Sequence, residues 1–355
     1  MNLSILDELQ PIAEELQRHM SPHVLEHLAK EKGFVQRKNK YQAQELVDLC
    51  VWLSQQVAST SITQLCSCLE VSTGVLISPE GLNQRFNASA VQFLEQVLSN
   101  LLTQRIYSTQ EIIHQYATTF KHIRILDSTT FQLPDKFSSH YQGSGGSSYT
   151  AGVKIQSEYD LLSGKFLHVY VGEGRENDKT FGTTSLQTIQ PKYLYIRDLG
   201  YFDLHDLHDL HDLQKIHDFY SLRWQIEILF RTWKSFFQID SCKGIKKERL
   251  ECHLYGQLIS ILLCSSTRFK MRQLLLDRKK KELSEYKSIY MIKNYYLLFY
   301  EGLQKDIHEL LKVLLRLFYF LEKNGRKSHR YEKKTVFDIL GVVYDYTLSQ
   351  SFKVA

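Results

Sequence analysis

Four residues in one stretch have the types and spacing to hold a phosphate chain. In YSLRWQIEILFRTWKSFF, Tyr220, Arg223, Glu227 and Lys234 follow one another with two, three and six residues between them. On a helix at about 100° per residue, these four and Arg231 fall on one stripe about 80° wide. Leu222, Trp224, Ile226, Ile228, Leu229, Phe230 and Trp233 cover the remaining faces. Such a helix is buried on most sides and shows one polar edge. One carboxylate amid cationic and phenolic groups suits phosphate oxygens and a metal ion. A solvated edge with ion pairs four residues apart is the plainer reading of the same stripe.

Two carboxylates elsewhere could join Glu227. Asp127 sits in the middle of the apolar segment RILDSTTF, where an aspartate is costly unless it is paired or bound to a metal. Asp198 ends YLYIRD, two residues before Gly200. A mid-strand Asp, a strand-end Asp and a helix Glu could converge on hard divalent cations, because Mg²⁺ prefers a few carboxylates plus water and phosphate oxygens. Two such ions would stabilise the attacking and leaving oxygens of an in-line displacement.

The other metal-type cluster is FDLHDLHDLHD at 202–212, with three His beside four Asp. These are ligand types, but a period of three drifts around an α-helix instead of keeping to one face. A low-complexity filler between structured parts is the preferred reading. The six cysteines show neither disulfide nor zinc spacing and read as reduced thiols.

The elements that must position these residues change along the chain. Residues 1–115 read as helical, with apolar residues at helical spacing in Leu46–Leu53 and Ala90–Leu102. Ser78-Pro79-Glu80 is a helix start, running to about Arg85. A helix from about Ser61 to Leu69 precedes it, with Gly74 in the loop between them. This pair is either a helix-turn-helix reader of DNA, with Asn83, Gln84 and Arg85 as the contacting candidates, or plain helical packing. From about residue 120 the texture becomes strand-rich. HIRILDSTTFQLP is a strand stopped by Pro134, and GVKIQSEYDLLSGKFLHVYVGEG is a hairpin around Ser163-Gly164. A short helix from Lys179 and the strand YLYIRDLG follow. A long helix is expected from about Phe219, then the buried helix ECHLYGQLISILLCSS, then helices with basic breaks over 268–355.

At 355 residues the chain is long enough for two or three domains. Its 43% hydrophobic and 23% charged residues exclude disordered and fibrous classes. The net charge of +5 is unevenly spread: residues 266–355 hold 19 Lys and Arg against 10 Asp and Glu, the remainder 25 against 29. The aromatic content of 12% supplies rings that can stack on bases. The amphipathic N-terminus is not a signal peptide, and the longest apolar run, near Leu258–Cys264, is too short to span a membrane. The chain reads as soluble and cytoplasmic.

The complete Tyr220-x2-Arg223-x3-Glu227-x6-Lys234 pattern resembles the Y-R-E-K signature of bacterial insertion-sequence DDE transposases, the insertion-sequence-four family. RILDSTTFQLP and YIRDLGYF resemble that family's first and second Asp motifs, and the likeness runs over nearly the whole chain. The resemblance implies an α/β fold, an RNase H-like mixed-sheet core flanked by helical regions. It implies a helical DNA-end-binding region at 1–118, a catalytic core at 119–265 and a basic helical region at 266–355. It also implies that Asp127, Asp198 and Glu227 bind two Mg²⁺ or Mn²⁺ ions. Tyr220, Arg223 and Lys234 would hold DNA phosphates. Such enzymes cut and paste double-stranded DNA: water nicks one strand, and the freed 3′-OH attacks the other strand or the target. Terminal inverted repeats, a homodimeric synaptic complex and a place on the bacterial nucleoid come with the same likeness.

One departure is large. Asp198 and Glu227 are 29 residues apart, where family members hold a helix, a fifth core strand and a β-rich insertion domain. Residues 199–218 read as a linker in their place, the mark of an internal deletion near the HDL repeat. Three functions are therefore carried forward: an active transposase, a catalytically inactive remnant that still binds DNA, and a metal-dependent nuclease unrelated to transposition.

Overall fold

The computed structural model describes residues 4–35, 42–53, 56–103, 119–144, 150–186, 188–198, 218–327 and 335–344. The HDL repeat lies outside the described residues, as do most of the Gly/Ser loop and the basic segment at 36–41. In chain order the helices are α1 (Ile5–Met20), α2 (Pro22–Glu31), α3 (Ala43–Val47), α4 (Ile62–Thr73), α5 (Pro79–Arg85) and α6 (Ala88–Thr103). The strands β1 (His122–Leu133), β2 (Ala151–Asp160) and β3 (Lys165–Glu173) come next, then α7 (Asp178–Leu186) and β4 (Tyr193–Arg197). The chain continues through α8 (Trp224–Ser235), α9 (Lys247–Lys279), α10 (Glu285–Lys293), α11 (Tyr296–Lys305), α12 (Ile307–Asn324) and α13 (Val336–Leu340).

The chain forms two compact units. The first comprises Met1–Ser108, Thr232–Arg268 and Ser288–Lys323. It is helical, and its helix starts are written in the sequence. Ser61 caps α4 with Gln64 in a capping box, and Gly74 closes that helix in the left-handed conformation. Ser78 accepts from the Gly81 N–H at the head of α5, with Pro79 in the first turn. Gln84 is exposed, and Asn83 and Arg85 are half-buried. A π-helical turn, Asp48–Leu53, is gripped by α9. A Cβ on Gly256 would lie 2.7 Å from the Cys50 Cβ. Arg249 Nε donates to the Val57 carbonyl at 3.0 Å.

The second unit comprises Thr109–Arg231, Phe269–Lys287 and Asn324–Ala355. It contains a four-stranded sheet in the order β3-β2-β1-β4. β1–β2 and β2–β3 are antiparallel, and β1–β4 is parallel. This is the mixed sheet expected of an RNase H-like core. No further strand is found among the described residues. Pro134 ends β1, since it has no N–H for the ladder. The β2–β3 hairpin turns at Gly164, φ 68°, where an added Cβ would strike the Phe269 ring. Every residue of β2 is buried, so both faces of the sheet's interior are covered. All six cysteines are free. Among the described residues, no helix is long and apolar enough to cross a membrane.

Candidate active site

The strand register sets two of the three carboxylates side by side. Leu126 of β1 pairs with Arg197 of the parallel β4, so Asp127 and Asp198 are the next residues on neighbouring strands. Asp127 is held by its own strand: the Ser128 N–H donates to Oδ1 at 2.8 Å. It is buried, whereas Asp198, just past the end of β4, is half-buried.

Glu227 and Arg223 arrive from the segment at the head of α8, and here the structure differs from the sequence reading. The expected unbroken helix from about Phe219 is instead a helical turn at 218–221, a break at 222–223 and then α8. Across the break the N–H groups of Leu222, Arg223, Gln225 and Ile226 bond the carbonyl three residues back. That is 3₁₀ geometry, in which residues three apart eclipse. Tyr220 and Arg223 therefore stack, with the guanidinium 5.6 Å from the ring centroid. The tighter turn also brings Trp224 out to 54% exposure, although the helical count put it among the covered residues. Leu222, Ile226, Leu229, Phe230 and Trp233 are buried as expected.

Arg223 joins the strand to the helix. One nitrogen, Nη1, lies 3.0 Å from Asp127 Oδ2 and 2.6 Å from Glu227 Oε1. Tyr220 completes the group by donating its hydroxyl to Asp198 Oδ1 at 3.4 Å. Burial lifts the Asp127 carboxyl to about 6; the Ser128 N–H and Arg223 pull it down, and the charges of Asp198 and Glu227 push it up again. Burial opposes the Arg223 charge, but Glu227, Asp127 and Tyr220 outweigh it and hold its pKa above the usual arginine value. Lys234 lies seven residues beyond Glu227 on α8, half-buried.

The donors are carboxylate oxygens, the chemistry that Mg²⁺ or Mn²⁺ selects. Among the described residues, no three His, Cys, Asp or Glu side chains stand together as a metal-holding group. The cation between Asp127 and Glu227 is Arg223. Two of the three carboxylates, Asp127 and Glu227, share that guanidinium, and their oxygens are of the type a divalent cation would use in its place.

A model of the Transposase DDE domain matches residues 118–215 and again 212–263. Over 469 positions, the chain is 43% identical to the transposase for insertion sequence element IS231E of Bacillus thuringiensis subsp. finitimus, covering 98% of each chain. The chain belongs to the insertion-sequence DDE transposases, of the insertion-sequence-four type. The IS231C transposase of Bacillus thuringiensis subsp. berliner is also 43% identical over 98% of each chain. The IS1151 transposase of Clostridium perfringens is 22% identical over 95% of this chain and 97% of its own. Enzymes of this class cut and transfer DNA strands with divalent metal ions. This transposase has 355 residues against an alignment of 469 positions, so at least 114 of those positions have no residue here. The two family matches overlap at 212–215, at the end of the HDL repeat and between Asp198 and Glu227.

Sequence reasoning missed a second ionic group in the same unit. Arg124 of β1 pairs through Nε with Glu158 of β2, and its Nη1 and Nη2 donate to the Thr188 carbonyl and hydroxyl at 3.0 and 2.8 Å. His122 and Ser163 both bond Asp160 Oδ2. The signal was present as charges at alternate positions, 122 and 124 on β1 and 158 and 160 on β2; the register sets Arg124 opposite Asp160, so both contacts run diagonally across the two strands.

Proposed function

We propose that this transposase cuts and pastes insertion-sequence DNA, with Asp127, Asp198 and Glu227 as its catalytic and metal-binding carboxylates. The observation that carries the reading is the joint hold of Arg223 on Asp127 and Glu227, with Tyr220 on Asp198. The three carboxylates would hold two Mg²⁺ or Mn²⁺ ions, which polarise a phosphate and activate water when bound. Tyr220, Arg223 and Lys234 bind phosphates at the transposon end and orient the scissile bond. A bidentate arginine–phosphate contact fixes both position and angle. Asp127 keeps one oxygen tied to Ser128 and so presents the other in a constant direction.

In this reading, residues 1–118 bind the terminal inverted repeats, 119–265 form the catalytic core and 266–355 add a basic helical region. The substrate is double-stranded DNA at element ends and target, and the enzyme works as a homodimer at the bacterial nucleoid. The steps are nicking, hairpin formation and strand transfer. The test uses labelled DNA carrying the element's ends, with Mg²⁺, beside Asp127→Ala and Glu227→Ala. End-specific nicking that is lost in both variants is the expected result. Nicking retained in either removes that residue from the site.

A second reading rests on the alignment positions that this chain lacks and on the break in the family match at 212–215. Here the missing residues are the insertion domain and the fifth core strand, and the chain is an inactive remnant that still binds DNA. A gel shift at element ends with no nicking under any divalent metal selects it. Binding by either form weakens as salt rises, because phosphates supply much of the affinity.

A further inference from the structure

Arg223 is the one cation whose guanidinium touches two of the three carboxylates in the described structure. Its Nη1 serves both Asp127 Oδ2 and Glu227 Oε1. A divalent ion drawing on those same oxygens would meet a fixed positive charge at contact distance, a repulsion that a half-buried site screens poorly. The pose also leaves something unmet: Arg223 Nε is buried and has no hydrogen-bond partner. The guanidinium is flanked by the rings of Tyr220 and Trp224, at 5.6 and 5.8 Å, and both rings are exposed. Arg223 lies in the 3₁₀ break before α8, not within the regular helix. A phosphate at the exposed end of that aromatic pair would offer the guanidinium two oxygens and a partner for Nε.

We propose that Arg223 is a placeholder cation. In the DNA-free protein it neutralises Asp127 and Glu227 and keeps divalent metal out, and it frees them when it transfers to a DNA phosphate. The inference rests on the reading of Asp127, Asp198 and Glu227 as metal ligands. It makes metal loading conditional on DNA, so that the nicking centre is assembled only where there is a strand to cut. Linkage requires the reverse effect too: metal tightens DNA binding by the same factor.

Mn²⁺ binding to the full chain, followed by electron paramagnetic resonance of the free ion, tests this without reference to activity. It is measured for the parent, Arg223→Gln, Arg223→Lys and Glu227→Gln, each with and without a short blunt duplex of arbitrary sequence at low salt. Mn²⁺ taken up by the duplex itself is subtracted with a duplex-only control. Without DNA, Arg223→Gln should bind Mn²⁺ about tenfold more tightly than the parent, within the usual range of coupling between sites. The duplex should tighten Mn²⁺ binding to the parent by a similar factor and leave Arg223→Gln unchanged. Arg223→Lys, which keeps the charge on a shorter reach, should fall between them and serves if the Gln variant does not fold. Equal Mn²⁺ affinity of parent and Arg223→Gln without DNA, with Glu227→Gln weakened, overturns the placeholder and leaves the ligand reading standing. So does a duplex effect that persists undiminished in Arg223→Gln. If Glu227→Gln binds Mn²⁺ as the parent does, the ligand reading itself falls.

Discussion

Arg124 and Arg223 both meet carboxylates of the sheet, but one does so from inside β1 and the other from the broken turn before α8. Arg124 is closed in. Its side chain is 5% exposed and its partner Glu158 is 0% exposed. Its Nη1 and Nη2 donate to Thr188 and its Nε lies against Glu158, though that nitrogen, like Nε of Arg223, makes no hydrogen bond, and the rings of Tyr193 and Tyr195 lie against it. Arg223 is open. Its partner Glu227 is 30% exposed, and a single nitrogen does the work of a fork. The first pair joins side chains on two neighbouring strands and is closed off from solvent. The second spans 96 residues of sequence to Asp127, depends on a turn and lies beside exposed aromatic rings. An ion pair that must be exchanged for a ligand has to be built the second way.

The largest effect should come from breaking the closed pair. Arg124→Ala leaves Glu158 buried without its cation, and a loss of about 3–5 kcal/mol is expected. Arg223→Ala should cost less, about 1–3 kcal/mol, since Asp127 keeps the Ser128 N–H and Glu227 can turn to water. Urea denaturation of the two variants side by side measures this. Equal losses would erase the contrast between a structural and an exchangeable arginine.

A smaller effect should appear in the pH dependence. Burial raises the Glu158 carboxyl above its ordinary value, although the Arg124 charge and hydrogen bond pull against it. The folded state therefore holds that proton more tightly than the unfolded chain. The stability it contributes is full below the ordinary glutamate pKa and is lost as pH rises through the folded value. Other buried acids add slopes of the same sign, with Asp48 lifted by burial to about 8. The informative quantity is thus a difference between proteins. Glu158→Gln should lose part of the downward slope of the urea midpoint with rising pH. A variant whose slope matches the parent's would mean that Glu158 does not titrate differently on folding.

The same contrast separates what is legible in the sequence from what is not. The cap at Ser78, the stop at Pro134 and the turn at Gly164 are local: one residue's backbone chemistry decides each. Asp127 was legible because a lone carboxylate in RILDSTTF has no local excuse, and the spacing from Tyr220 to Lys234 was legible because the stripe is periodic. The break at 222–223 was not. Leu222 and Ile226 keep an apolar period through it, so the pattern reads as continuous helix while the hydrogen bonds shift from four residues back to three. That shift exposes Trp224 and stacks Tyr220 on Arg223. Arg124 and Glu158 were hidden for a different reason, since their pairing exists only once β1 and β2 are in register.

The smallest expected effect probes the open site at its weakest bond. Tyr220 donates to Asp198 at 3.4 Å, near the limit for a hydrogen bond, and its ring is 42% exposed. Tyr220→Phe keeps the ring beneath Arg223 and deletes only the hydroxyl. Stability should change by less than about 0.5 kcal/mol, as for other exposed positions. Tyr220→Ala removes the ring as well and with it a cation–π contact of roughly 0.5–1 kcal/mol at an exposed site. If the ring's role is to steady an arginine that moves, the Phe variant should bind DNA almost as the parent does and the Ala variant more weakly. A Phe variant as weak as the Ala variant would shift the weight to the hydroxyl. Tyr220 would then act through Asp198 or a phosphate rather than through Arg223.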